Sequence, residues 1–150
     1  MQRKRTDGIV LHRTEKWTGD DYHALVMKDG VWKFLVPAGD VAFHACIYNH
    51  AALAIGIFGD FASMEPGLNW HPTQAQLDET LHLIAKFRGA FPSLKWISGH
   101  SALGPSGTAI PNKLVPGHTC PGENFPLDDI IQRSGLITLN EYTSSLTLSV

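Results

Sequence analysis

Disulfides have almost no material to form from: the 150 residues include two cysteines, Cys46 and Cys120, which excludes a cysteine framework and leaves room for one bridge at most. Charge is sparse as well. Charged residues make up 17% of the chain and the formal net charge is −2, so the broad excess of Lys and Arg expected of a protein that coats nucleic acid is missing. The basic cluster Arg3-Lys4-Arg5 reads as a solvated terminus. No apolar run approaches the roughly 20 residues that span a bilayer. Polar Thr6-Asp7-Gly8 follows the basic start, where a signal peptide would carry about seven or more apolar residues. These absences predict a soluble chain with no nucleic-acid partner and no membrane insertion, synthesised in the cytoplasm without an export signal of its own.

What is present fits one compact domain. The length lies near the commonest domain size, and 43% hydrophobic residues suffice for one core. Gly8-Ile9-Val10-Leu11-His12 is a short β-branched run. Tyr22 to Met27 and Val31 to Val36 flank the turn signal Lys28-Asp29-Gly30 and predict a hairpin. Leu53 to Phe58 is nearly all apolar, as a central strand covered on both faces would be, and Lys95 to Ser98 reads as a further strand ending just before His100. The clearest helix spans about Thr73 to Phe87: Thr73 and Gln76 have capping-box spacing, Leu77, Leu81 and Ile84 recur at helical intervals, and Gly89 and Pro92 mark the stop. A shorter helix is expected between Leu127 and Ser134, with Asp128 and Asp129 in its first turn and Gly135 ending it.

Strands mixed with helices make the fold class α/β, in a single domain. Residues 1–135 form its body, and 136–150 are an extra strand or a loosely docked tail. Between His100 and Cys120 the breakers Gly104, Pro105, Gly107, Pro111, Pro116 and Gly117 predict a long surface loop.

Eight histidines are the compositional oddity, and they direct attention to metal chemistry. Catalytic zinc takes three protein ligands from His, Cys, Asp or Glu and keeps a fourth position open. His12 ends one predicted strand, His100 follows another, and Cys120 sits in Pro116-Gly117-His118-Thr119-Cys120-Pro121-Gly122. Strand ends and the loops after them can converge on one point. Spacing alone is weak support, because no compact pair such as two histidines one helical turn apart is present.

The order of motifs is more specific. Ile9-Val10-Leu11-His12, Tyr22-His23 leading into Lys28-Asp29-Gly30, His44-Ala45 with Tyr48-Asn49-His50, Ile55-Gly56-Ile57, Gly99-His100-Ser101 and His118-Thr119-Cys120-Pro121-Gly122 together resemble the zinc-dependent N-acetylmuramoyl-L-alanine amidase family, which includes phage lysozyme-type amidases and peptidoglycan recognition proteins. The resemblance spans residues 8 to about 133. It implies a mixed central β-sheet flanked by helices, with one Zn2+ per chain on His12, His100 and Cys120 at the floor of a surface groove. It also implies that Tyr22 and His118 stand beside the reacting water and carbonyl, His118 as oxyanion donor, and that His44 and Asn49 lie near substrate. The implied reaction is hydrolysis of the amide between N-acetylmuramic acid and L-alanine in peptidoglycan, carried out by a monomer acting on cell wall after release or on muropeptides in the cytoplasm.

Other readings stand beside these. Tyr22 can be an ordinary strand aromatic, Asn49 a turn former, and Cys46 a small buried group. His23 should face away from Tyr22 if both lie in a strand, and His50, His71 and His82 read as surface residues. Trp17, Trp32, Trp70 and Trp96 suit a core or a groove wall. A non-catalytic peptidoglycan-binding module is the alternative function, and a Cys46–Cys120 disulfide with structural histidines is the alternative to a metal. Two features depart from the family: only nine residues separate His12 from Tyr22, where relatives carry a helix, and His118 stands where lysine or threonine is common.

Overall fold

The protein is described as a computed structural model over residues 1–15, 19–61, 71–103 and 120–148, with the side chains of 46, 47, 147 and 148 left aside. Six strands form one sheet: β1 (Gly8–Thr14), β2 (Ala24–Val26), β3 (Trp32–Phe34), β4 (Ala52–Phe58), β5 (Trp96–Gly99) and β6 (Ile137–Thr138), in the spatial order β3-β2-β4-β1-β5-β6. β4, β1 and β5 are parallel neighbours, β2 joins β4 in parallel, and among the named strands of the described residues only the hairpin β2–β3 is antiparallel. The expected turn closes that hairpin, with Met27 N–H donating to Val31 C=O at 2.9 Å and Gly30 N–H to Met27 C=O at 2.8 Å.

Alternation along the two central strands decides what each face carries, because successive side chains point to opposite sides. Ile9 and Leu11 of β1, with Leu53, Ile55 and Ile57 of β4, face one side and are fully buried. Against them pack Leu83, Ile84 and Phe87 of helix α1 (Gln74–Ala90) and Ile130 and Ile131 of helix α2 (Leu127–Ser134). The other face of β4 presents Ala52, Ala54 and Gly56, so a shallow space remains there. Its lower part is filled by Trp96, Tyr48 and Leu139, and its upper part, at the strands' C-terminal ends, holds Tyr22 and a group of imidazoles.

Helix α1 starts as its capping box requires. Thr73 Oγ1 accepts from Gln76 N–H at 3.1 Å, and Gln76 Oε1 accepts from Thr73 N–H at 3.0 Å. Buried Gln76 also donates to Phe58 C=O at 2.8 Å, which ties the helix start to the end of β4. The helix runs three residues past Phe87, through exposed Gly89. It stops at Phe91, whose backbone leaves the helical region as expected of the residue before proline. Helix α2 spans Leu127–Ser134, and Gly135 ends it in the left-handed conformation at φ 75°.

Residues 136–148 supply an added strand and a helix. β6 pairs in parallel with β5, and helix α3 (Leu139–Leu148) seats Leu139 and Tyr142 on the Trp96 cluster. No helix of the described residues is long and apolar enough to cross a membrane.

β2 begins only at Ala24, so strand alternation does not govern His23. This ring is fully buried: Ala54 N–H donates to its Nδ1 at 2.9 Å, and its Nε2–H donates to Asp40 C=O at 2.7 Å. Both nitrogens of the neutral ring are thereby used. Burial pushes its pKa down from 6.5 to about 4, the Asp40 carbonyl opposing this and the nearby Arg3 charge adding to it. Below pH 6.5 the unfolded chain therefore takes up a proton that the folded chain refuses. The stabilisation is complete above that pH and falls away as pH drops toward 4, by up to about 3 kcal/mol. Urea midpoints measured from pH 7 to 4.5 should fall in wild type and fall less steeply in His23→Gln; equal slopes would show that His23 is not the neutral buried base.

Candidate metal centre

Strand register places the first two donors side by side. Leu11 pairs with Gly99 across parallel β1 and β5, so the residues that follow, His12 and His100, emerge side by side; His12 does not end β1 as expected, since the strand runs on to Thr14 along β4, while His100 directly follows β5. Their ring centroids are 4.6 Å apart. Cys120 reaches the same point from the far side of the undescribed 104–119 segment. Ser101 N–H donates to Cys120 C=O at 2.9 Å, and Arg13 N–H donates to Cys120 Sγ at 3.4 Å. Gly99 makes this approach possible: a Cβ there would lie 2.9 Å from Pro121 Cδ and 2.8 Å from Leu127 Cδ2.

The donor atoms of His12, His100 and Cys120 all lie within 4.8 Å of one another. With zinc–nitrogen bonds of about 2.0 Å and a zinc–sulfur bond of about 2.3 Å, a tetrahedral ion sets its donors roughly 3.3–3.6 Å apart. Closure on an ion therefore needs side-chain shifts of about an ångström. Cys120 is a free thiol, which removes the disulfide alternative. Burial pushes that thiol's pKa up, offset in part by the Arg13 N–H and charge, so without a cation it stays protonated at neutral pH. A divalent ion would favour the thiolate. His12 is buried at 3% exposure, while His100 and Cys120 are half-buried. Two imidazoles and a thiol suit a three-ligand catalytic zinc.

Around these donors the structure gathers several of the other expected residues. The Tyr22 ring lies 5.3 Å from that of His12. It fits there because its neighbour on β4 is Gly56, where a Cβ would stand 3.0 Å from Tyr22 Cδ2. His44 Nδ1 is 3.0 Å from His12 Nε2, and only 9% of the residue is exposed. Asn49, in a 3-10 turn over Cys46–His50, uses Oδ1 to accept from His44 N–H at 3.0 Å and Ala45 N–H at 2.7 Å, so it organises the turn that carries His44. His118, Trp17 and Trp70 lie outside the described residues. His71 and His82 are exposed as expected; His50 is half-buried instead, in a turn whose His50 C=O accepts from Arg5 N–H at 3.2 Å. Between β1 and Tyr22 no helix is present among the described residues.

Two site features escape a reading of the sequence. The contact of His44 with His12 joins residues 32 apart, and Arg13 contributes through its backbone, which any residue type could do.

The fold and donor set define a class: a mixed α/β domain that gathers a His-His-Cys set beside its parallel strands. Within that class, the chain belongs to the N-acetylmuramoyl-L-alanine amidase family, whose sequence profile matches residues 2–123. No curated protein matches it. Solved structures share its fold. The endolysin amidase LysCS from Clostridium intestinale URNW is 22% identical with a TM-score of 0.66, the likeness covering 87% of this chain and 84% of that one. AmpDh3 from Pseudomonas aeruginosa, in complex with anhydromuramic pentapeptide, is 18% identical with a TM-score of 0.64 over 90% and 62% of the two chains. Drosophila peptidoglycan recognition protein SA is 16% identical with a TM-score of 0.63 over 85% and 80%.

Asn49→Ala would strand two backbone donors and should cost about 1–3 kcal/mol in urea unfolding. Asn49→Asp, which keeps the acceptor oxygens, should lose much less; equal losses would show that the side-chain oxygen is not what holds the turn.

Proposed function

We propose that this chain is a zinc-dependent amidase that hydrolyses the bond between the lactyl carbonyl of N-acetylmuramic acid and the amine of L-alanine in peptidoglycan. The observation that carries the proposal is the convergence of His12, His100 and Cys120 in a chain of this family. The anhydromuramic pentapeptide held by AmpDh3 and the amidase character of LysCS point to the same substrate class. Likeness to a recognition protein favours a binding module without turnover. The presence of Cys120 as third donor favours the enzyme.

Zinc held by these three residues supplies Lewis acidity toward water and toward the scissile carbonyl. The chain's own groups do the rest. Tyr22, whose ring packs beside that of His12, would orient the attacking water and pass on its proton. His118, two residues before Cys120, is assigned by family resemblance to donate a hydrogen bond to the carbonyl oxygen as negative charge gathers there. Water adds to the carbonyl carbon, the C–N bond breaks, and the leaving amine of L-alanine takes up a proton. The products are a free lactyl carboxylate and a free peptide amine. The protein would work as a monomer, on cell wall after release or on muropeptides in the cytoplasm.

The purified chain should carry about one zinc, and Cys120→Ser and His100→Ala should each lose most of the metal and of the turnover. Mass analysis of muropeptides, with zinc measured on the same sample, checks both. Tyr22→Phe should keep its zinc and lose most of its turnover, since only a hydroxyl is removed. His118→Ala should keep zinc and turn over roughly a hundredfold more slowly. A wild-type protein that holds zinc but leaves the muramoyl amide intact would sink the enzyme reading and favour the binding module.

A further inference from the structure

The buried contact between His12 and His44 fixes a choice that a lone metal-binding histidine leaves open. A neutral imidazole has one N–H and one lone pair, and what faces each nitrogen decides which of them carries the proton. Resting on the metal reading above, we infer that His44 is a positioning residue: it accepts a hydrogen bond from His12 Nε2–H and so commits His12 Nδ1 to the metal.

The geometry allows two polarities for the 3.0 Å contact of His12 Nε2 with His44 Nδ1, and the metal reading selects one. If His44 donated, His12 would carry its proton on Nδ1, and its neutral ring would have no lone pair to give a cation. If His12 donates instead, its Nδ1 lone pair can face the cation, and His44 keeps its proton on Nε2. That buried Nε2 meets no hydrogen-bond partner in either polarity, so it does not decide between them.

His44 is also held as an orienting group must be. Its backbone N–H is bound by Asn49 Oδ1. Its ring meets His12 edge-on at 5.2 Å between centroids and His23 edge-on at 6.3 Å, and His23 is itself anchored on Ala54 and Asp40. With 9% of the residue exposed, His44 has little surface to offer a substrate, and its Nδ1 is already engaged. Outer partners of this kind align a ligating ring and raise its basicity, and losing one weakens metal binding about 10–100-fold.

The test compares the full-length metal-free wild type with His44→Leu and His44→Asn, measuring zinc affinity by competition with a chromogenic chelator. Asn is the conservative variant because its Oδ1 sits where His Nδ1 sits and can accept. His44→Leu should bind zinc about 10–100-fold more weakly, and His44→Asn should recover most of that loss. Thermal melts of the metal-free proteins show whether the leucine variant folds. Independently, a long-range proton–nitrogen NMR spectrum of the metal-free wild type should show His12 with its proton on Nε2. The inference is overturned if both variants bind zinc like wild type, if asparagine is no better than leucine, or if His12 carries its proton on Nδ1. Zinc binding without muropeptide turnover in wild type would overturn only the amidase proposal; a wild type that takes up no zinc would overturn both.

Discussion

Everything at the candidate metal centre depends on the register between β1 and β5. Pairing of Leu11 with Gly99 sends His12 and His100 out of the sheet as neighbours. A shift of one residue would turn His12 toward the α1 face and its buried branched side chains. The register is fixed by burial on both sides of the sheet: Ile9, Leu11 and Ile97 under the helices, Val10 and Trp96 beneath α3. The same core that stabilises the domain therefore aims the donors. Cys120 is the exception, since it lies outside the sheet and is held by two contacts, with Ser101 and Arg13, that lie next to the other two candidate donors in sequence.

The two faces of β4 show how room for chemistry is made. Leu53, Ile55 and Ile57 give the helices a continuous apolar surface, while Ala52, Ala54 and Gly56 leave the opposite face low enough for rings to lie on it. Tyr22, His12 and His44 occupy that depression. A larger residue at 56 would meet Tyr22 at once.

Much of this is legible in the sequence because it depends on local rules. The capping box at Thr73, the Lys28-Asp29-Gly30 turn, the Gly135 stop and the apolar runs each state their structure within a few residues. The ligand set is legible only as an ordered series of motifs, since nothing local joins His12 to Cys120 across 108 positions. The end of α1 is misplaced from sequence because Gly89 reads as a stop, whereas an exposed glycine at a helix end costs only about 1 kcal/mol and Pro92 sets the limit. The alternation of small and large residues in β4 is visible in the sequence, but it reads there as a uniformly apolar strand. The resemblance puts His44 near the site, but its contact with His12 is not legible in the sequence. It depends on how the turn capped by Asn49 sits on the sheet, which is a tertiary fact.

A site meant for a cation gains from neighbours that carry no positive charge, and here that is arranged by burial. His23 and His44 form a row leading away from His12, and burial holds His23 down to about 4 and His44 down to about 3. At neutral pH both rings are uncharged, so they can orient and accept without repelling an ion on His12. Solvent-exposed histidines in the same places would titrate near pH 6.5 and place imidazolium against the metal in mildly acid conditions. The row therefore links stability and function with opposite signs. Enclosing neutral imidazoles makes the fold sensitive to acid, and the same enclosure keeps the surroundings of His12 fit for a divalent ion.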